Sequence, residues 1–324
     1  SKSNIVLVGA GYWGTNITKN LIKLNIKKII VCDTNSNNSK ILQTRFPNNI
    51  TINNNFKSLI KNSDNKIFIF ATPPSKNYKL VDIALKLNKK IFIEKPGFKN
   101  IKELDKLKSR HSGRLNNLSF GYIYMFNNYI KYIKKFVTSK KNGKILYIKF
   151  QRQNLGPIRN DVDVSYDLSS HDISILSFIF NHKIKLISSH GYDILKKNIA
   201  DISNLSFKIK NFYADINNSW INPDKIRRII IVTSKKMLLF DEMKQFNKIK
   251  IYNKYAQYPK VDKLNDKFFF KSAKIYEGES FNPKIKNNDP LFDEIKYFLN
   301  IKKFNIINAS FGSKILKLLD KIQN

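Results

Sequence analysis

The 324-residue sequence predicts an α/β protein of about two domains: a parallel, doubly wound one, followed by one rich in antiparallel strand signals. Three observations carry this. An apolar run from Ile5 to Val8 enters a turn with glycine at 9, 11 and 14, and a helical pattern, "TNITKNLIKL", follows. Apolar strands then alternate with helical stretches up to about residue 120. Beyond that point, longer strand-like runs follow one another with turn residues between them.

The first strand and turn, "NIVLVGAGYWG", place Gly9, Gly11 and Gly14 as G-x-G-x-x-G, with Tyr12 and Trp13 before the last glycine. In a strand–turn–helix context this pattern cradles a dinucleotide pyrophosphate. A second strand, "KKIIVCD", ends in Asp33, 19 residues beyond Gly14. A carboxylate there accepts hydrogen bonds from the adenosine ribose, and no Arg follows it to hold a 2′-phosphate, so NAD is expected rather than NADP. The plain alternative is a tight turn with Asp33 capping a loop. The Asn-rich "TNSNNSK" and "PNNITINNNF" read as surface loops.

Two later strands end in "KIFIFATPPS" and "KKIFIEKPG", with the helical "NYKLVDIALKLN" between them. Ligands of an open parallel sheet sit beyond the carboxyl ends of its strands, so Thr72, Pro73, Glu94 and Lys95 should face the cofactor. A lysine at such a strand end can donate to a substrate hydroxyl and stabilise the alkoxide formed before hydride leaves. In a lysine-rich chain, Lys95 could equally lie on a solvated surface.

In the second half, "NGKILYIKFQRQ", "NLSFKIKNFYADINNSWI" and "IRRIIIVTSKKMLLFDE" read as strands, while "NYIKYIKKFV" and 167–180 read as helices. "DLSSHDIS" sets Asp167 and His171 one helical turn apart on one face, in a chain with 4 histidines. They form a candidate acid/base pair, although Asp167 could serve as a helix cap and His171 as a structural residue. His111, His182 and His190 have no partners at ligand spacing, so no metal site is expected. "LFDEIKYFLN" and "ASFGSKILKLLDKI" read as two helices that could pack back on the first domain. A sheet covered on one face leaves the other for a partner subunit, and a homo-oligomer, dimer or tetramer, is expected.

Composition narrows the classes. The formal charge is +35, but only 7 of the 59 basic residues are Arg, and the lysines are spread along the whole chain among many Asn and Ile. That is codon bias of an A/T-rich genome more than a nucleic-acid surface; no basic block, zinc-finger spacing or aromatic RNA-binding signature accompanies it. No segment has the roughly 20 apolar residues of a membrane helix, and no signal-peptide layout opens the chain, so a cytoplasmic protein without membrane or nucleic-acid partners is expected. The single cysteine, Cys32, can form no internal disulfide and reads as a buried, inert thiol.

"GAGYWG", "ATPPSKNYKLVDIALKLNKKIFIEKP" and "GPIRNDVDVSYDLSSHDISIL" together resemble the glucose-fructose oxidoreductase, inositol dehydrogenase and MocA (Gfo/Idh/MocA) family over nearly the full chain. The resemblance implies a Rossmann domain over 1–120 and a substrate-binding and oligomerisation domain with an open, mostly antiparallel sheet over 121–324. It implies NAD(P)-dependent oxidation or reduction of a sugar or cyclitol carbon. Lys95 matches the family's catalytic lysine, and Asp167 and His171 its aspartate and histidine; either Lys95 or His171 is the base.

"QRQNLGPIRNDVDVSYDLSSHD" looks most like the branch acting on nucleotide-linked sugars, such as UDP-N-acetylglucosaminuronate at carbon 3. In that reading Asn127 and Arg159 join Lys95 and His171 as substrate contacts, since a guanidinium fork matches carboxylate or phosphate. Arg159 has an alternative as a loop salt bridge to Asp161 or Asp163. A free-sugar or inositol dehydrogenase and a non-catalytic NAD-binding regulator are the alternatives for the whole chain.

Overall fold

The computed structural model describes residues 4–160, 162–180, 182–257, 273–301 and 305–323. The chain divides into two compact units, one made of 1–127 with 288–320 and the other of 128–287 with 321–324.

The first unit is built on six parallel strands: β1 (Asn4–Val8), β2 (Ile29–Cys32), β3 (Ile50–Ile52), β4 (Asn65–Phe70), β5 (Lys90–Glu94) and β6 (Leu118–Gly121), in the order β3-β2-β1-β4-β5-β6. Between them run helices α1 (Tyr12–Lys23), α2 (Ser36–Arg45), α3 (Phe56–Lys61), α4 (Pro74–Lys86) and α5 (Ile101–Arg110). This is the doubly wound order that reverses beside the first strand, where dinucleotides bind. Ile5–Val8, Ile29–Cys32 and Phe68–Phe70 are buried, as strands covered on both faces must be. Register pairs Val8 with Cys32 and with Phe70, and Phe70 with Ile93, so the carboxyl ends of β1, β2, β4 and β5 lie level.

Two Asn-rich stretches expected as loops are partly ordered elements. Asn35 caps α2 by accepting from the Asn37 N–H, and Asn55 caps α3 by accepting from Ser58 N–H, while Ile50–Ile52 pairs with β2. The asparagines punctuate helix starts there, where a short side-chain acceptor satisfies free backbone N–H groups.

The second unit contains α6 (Asn128–Thr138), β7 (Ile145–Leu155), α7 (Val164–Ile179), and strands β8 (Ile184–Tyr192), β9 (Ile202–Ile209), β10 (Phe212–Ser219), β11 (Ile221–Thr233), β12 (Met237–Asp241), β13 (Ile249–Gln257) and β14 (Lys274–Phe281). They form one open sheet ordered β14-β13-β12-β11-β7-β10-β9-β8, antiparallel at every step except β7–β10. Ile148, Phe150 and Arg152 on β7 alternate with half-exposed residues, so one face is buried, and α7 packs against β7, β9 and β10. Trp220, 1% exposed, anchors the start of α7 by packing on Val164 and Leu168.

The last helices, α8 (Pro290–Leu299) and α9 (Ala309–Gln323), follow. α8 lies on the first unit through Phe298, whose ring sits 5.3 Å from Phe92, and through Lys90, which donates to Leu299 O at 3.1 Å. Phe120 N donates to Ile307 O at 2.8 Å, and the N–H of Ile101 donates to Asp320 at 2.9 Å. No helix among the described residues is long and apolar enough to cross a membrane.

Candidate functional site

At the carboxyl edge of the parallel sheet, the three glycines are required for three different reasons. Gly9 has φ +96°, and a Cβ there would stand 2.6 Å from Ala71 O, so it allows β1 and β4 to meet at the switch point. A Cβ on Gly14 would stand 2.0 Å from Gly9 O, so it allows α1 to press on the turn. A Cβ on Gly11 would meet nothing within 4 Å. The fold has no internal need for glycine at 11; the space its side chain would fill lies open in front of α1, whose first turn carries neither a side-chain cap nor an acidic residue. Free N–H groups and open space at a helix start fit a pyrophosphate.

Asp33 follows β2 and holds the glycine turn. Its Oδ2 accepts from Ala10 N–H at 2.6 Å and its Oδ1 from Asn35 N–H at 2.8 Å. A carboxylate has about four acceptor positions, so two remain for ribose hydroxyls. Tyr12, the first residue of α1, is 79% exposed, and its ring meets Trp13 edge-on at 5.8 Å. Just inside β2, burial and then the Asp33 charge push the Cys32 thiol up to about 11, which keeps it protonated and unreactive.

Thr72 and Pro73 form the turn into α4, and Lys95 follows β5 with a cis peptide to Pro96. Asn77, fully buried on α4, ties these turns together: it accepts from Thr72 Oγ1 and donates to Gly97 O at 2.7 Å. Sequence reasoning missed it, because a helix-interior asparagine gives no local signal. Glu94 is 7% exposed, and burial raises its carboxyl to about 7 against the lowering effect of Lys95. Glu294 on α8, fully buried, is held well above the usual carboxylate range by burial and then by the charge of Glu94.

In the second unit, α7 starts a turn earlier than expected. Asp163 is the cap, accepting from Tyr166 N–H at 2.8 Å and from Ser165 Oγ at 2.7 Å. Asp167 stands in the first turn of the helix, one turn before half-buried His171. Arg159 pairs with Asp167 at 3.6 Å, in place of the pairing with Asp163 considered from sequence; Asp161 lies outside the described residues. Asn127, 9% exposed, is the residue before α6.

α7 is fixed from below by an ion pair the sequence did not reveal. Arg152 on β7 donates to Asp172 through Nη2 at 2.9 Å and Nε at 3.1 Å, with both side chains buried, and Asn218 donates to the same carboxylate at 3.3 Å. Asp172 adjoins His171, so this pair fixes the rotation of the helix that carries it. No group of three or more His, Cys, Asp or Glu among the described residues is arranged to hold a metal ion.

A parallel sheet in this strand order, with a glycine turn open before α1 and an acidic residue ending β2, defines an NAD-binding Rossmann domain. Residues 3–122 match the Gfo/Idh/MocA family model, described as "Oxidoreductase family, NAD-binding Rossmann fold". No curated protein matches the sequence.

Solved structures share the fold over nearly the whole chain. The UDP-N-acetylglucosamine 3-dehydrogenase GnnA from Acidithiobacillus ferrooxidans is 17% identical with a TM-score of 0.77, covering 99% of this chain and 96% of its own. A myo-inositol dehydrogenase from Corynebacterium glutamicum is 15% identical with a TM-score of 0.76 over 99% and 96%. An NAD-binding protein from Listeria innocua is 15% identical with a TM-score of 0.77 over the same shares.

Proposed function

We propose that the protein oxidises a ring hydroxyl of a nucleotide-linked sugar, such as UDP-N-acetylglucosaminuronate at carbon 3, with NAD as the hydride acceptor. The observation that carries this is the start of α7, where Asp167 and His171 share one face and a separate residue, Asp163, does the capping. A helix start capped by Asp163 sets a second acid and an imidazole one turn apart on the same face.

Gly9, Gly11, Gly14 and Asp33 would hold the cofactor, with Tyr12, Trp13, Thr72, Pro73 and Glu94 around it. NAD, when bound, supplies the acceptor for the hydride that leaves the sugar carbon. His171 takes the hydroxyl proton as the C–H bond breaks and the carbonyl forms, a task suited to a group whose ordinary pKa is near neutral. Lys95 donates to that oxygen and favours the negative charge it develops. Asp167 fixes the imidazole tautomer. Lys95 is the alternative base. Asn127 and Arg159 contact the substrate, Arg159 from its place beside Asp167.

The likeness in fold to GnnA supports the nucleotide-sugar branch, and the likeness to the inositol dehydrogenase supports a second reading, oxidation of a free sugar or polyol. We also take the protein to be a cytoplasmic homo-oligomer, a dimer or tetramer. This rests on the sheet of the second unit: opposite its buried face, Asp215 accepts from Tyr147 at 2.6 Å and Ser206 at 2.7 Å in a half-buried polar ladder that suits an isologous contact.

The test is mass spectrometry of UDP-sugars and free polyols incubated with the protein and NAD, with Lys95→Ala and His171→Ala as controls. Loss of two hydrogens from a nucleotide sugar, abolished in both controls, is the expected result. Turnover of free polyols alone would establish the second reading. No change in any compound while NAD binds would leave a non-catalytic NAD-binding regulator.

A further inference from the structure

The seven arginines of this lysine-rich chain are not used alike. Five hold an acceptor of the protein itself: Arg110 pairs with Asp82, Arg114 donates to Lys86 O, Arg152 pairs with Asp172, Arg159 with Asp167 and Arg228 with Asp241. Arg45 is exposed to water. Arg227, half-buried on β11, has its Nε buried, and among the described residues that donor meets no acceptor. We propose that Arg227 binds the carboxylate of a uronic-acid substrate and selects it over the neutral sugar, an inference that rests on the nucleotide-sugar reading above and deepens it.

Position comes first. Arg227 stands opposite Arg152 on β7, which stands opposite Asn218 on β10. Partners across strands share a face, so the three form one polar row on the face that α7 covers. The next row, Ile229, Phe150 and Ile216, is buried and apolar, so the core ends at the polar row, toward the end of β7 that leads into α7. Arg152 and Asn218 both donate to Asp172 of α7. The helix packs on β7, β9 and β10, and Arg227, one strand further, lies past its edge, about 5 Å from Arg152 between backbones. His171 turns to that edge: Ser169 meets Asn218 on β10, and residues two apart on a helix point about 160° from one another.

A guanidinium donor buried without an acceptor costs stability, and the described residues around Arg227 supply none. Glu242, whose N–H donates to Arg227 O at 2.9 Å, forms no ion pair with it. The buried edge is the one that carries Nε–H, where Nε–H and an Nη–H run parallel and match the two oxygens of a carboxylate. A hexose oxidised at His171 with a carboxylate at carbon 6 would satisfy both donors. A hexose with a hydroxymethyl group there would leave them unpaired, which is how a site built for a polar group rejects an analogue that lacks it.

The test is isothermal titration of the full-length protein, saturated with NADH so that no oxidation occurs, with UDP-N-acetylglucosaminuronate and UDP-N-acetylglucosamine as probes. Both carry the diphosphate, and only the first carries the carboxylate. The wild type should bind the uronate at least about tenfold more tightly, and Arg227→Met should bring the ratio of the two affinities to about one. Arg227→Lys, which keeps the charge and loses the fork, should lower the ratio less and carries the test if the first variant does not fold. Lys225→Met removes the same charge from an exposed position of β11 and should keep the wild-type ratio. No preference in the wild type, an unchanged ratio in both Arg227 variants, or equal weakening of both probes, which would put Arg227 on the diphosphate, overturns the proposal. Binding of neither probe overturns it together with the nucleotide-sugar reading. NAD reduction separates the two: turnover of the neutral sugar at a rate independent of Arg227 would leave the dehydrogenase and remove the carboxylate site. An Arg227-dependent preference in binding without turnover of either sugar would do the reverse.

Discussion

The guanidinium of Arg159 lies 3.6 Å from the carboxylate of Asp167, with the two side chains 34% and 18% exposed. An arginine assigned from sequence to the substrate is thus attached to the acid assigned to orient the base. Its two roles separate kinetically. A residue that binds substrate uniformly changes KM, whereas one that sets the geometry of the acid/base pair changes kcat. Arg159→Met is expected to lower kcat by about tenfold with the sugar substrate, because loss of a partly exposed ion pair of about 1 kcal/mol is amplified where Asp167 must aim at His171. Steady-state kinetics decide: a rise in KM alone would assign Arg159 to the substrate.

The three glycines of the first turn predict opposite phenotypes for the same substitution. Gly14→Ala drives a methyl to 2.0 Å from Gly9 O, backbone that cannot rotate away, and should cost about 3 kcal/mol or more in thermal unfolding. Gly11→Ala places its methyl in open space at φ −72° and should leave stability within about 0.5 kcal/mol of wild type. It should nonetheless weaken NAD, followed by fluorescence titration, at least about tenfold by blocking the approach of the pyrophosphate. Unchanged NAD affinity in Gly11→Ala would remove the turn from the cofactor site.

These examples mark what was readable. The glycine turn, Asp33 and the level strand ends were legible because each depends on local spacing and on the rule that parallel-sheet ligands lie at carboxyl edges. The Asn-rich stretches misled because asparagine serves turns and helix caps alike, and Asn35 and Asn55 are caps. Asn77, Glu294 and the Arg152–Asp172 pair gave no signal, since the contacts of Asn77 with Gly97, of Glu294 with Glu94 and of Arg152 with Asp172 span 20 or more residues, and pairing across such separations is a product of the fold. Arg159 was noticed, and among the described residues it pairs with Asp167, while Asp163 is engaged in the cap and Asp161 lies outside them.

The Arg152–Asp172 pair predicts a non-additive cycle. Asp172→Leu leaves a buried guanidinium without its partner and should cost about 3–5 kcal/mol in urea unfolding, and Arg152→Met should cost a similar amount. The double variant should be more stable than either single one, because no charge is then left buried alone. Simple addition of the two losses would show that packing, not charge, dominates the site.

Glu94 predicts how stability depends on pH. Burial raises its carboxyl from the usual 4.5 to about 7, and the Lys95 charge opposes the shift only in part; Oε1 finds no hydrogen-bond donor among the described residues. Between those two values the unfolded chain has lost the proton while the folded one keeps it. The folded state then binds more protons than the unfolded state, and stability falls as pH rises from about 4.5 through 7, levelling above. Glu294, also raised, extends the fall to higher pH, since its proton and that of Glu94 belong to one coupled pair. Glu94→Gln keeps the shape and removes this titration. Its unfolding free energy relative to wild type should rise by roughly 2–3 kcal/mol from pH 5 to pH 8, with the titrating groups outside the Glu94–Glu294 pair cancelling in the difference. Thermal or urea unfolding of both proteins across that range makes the comparison. Parallel curves would mean that water reaches Glu94 and that the carboxyl is ionised at neutral pH like any surface acid.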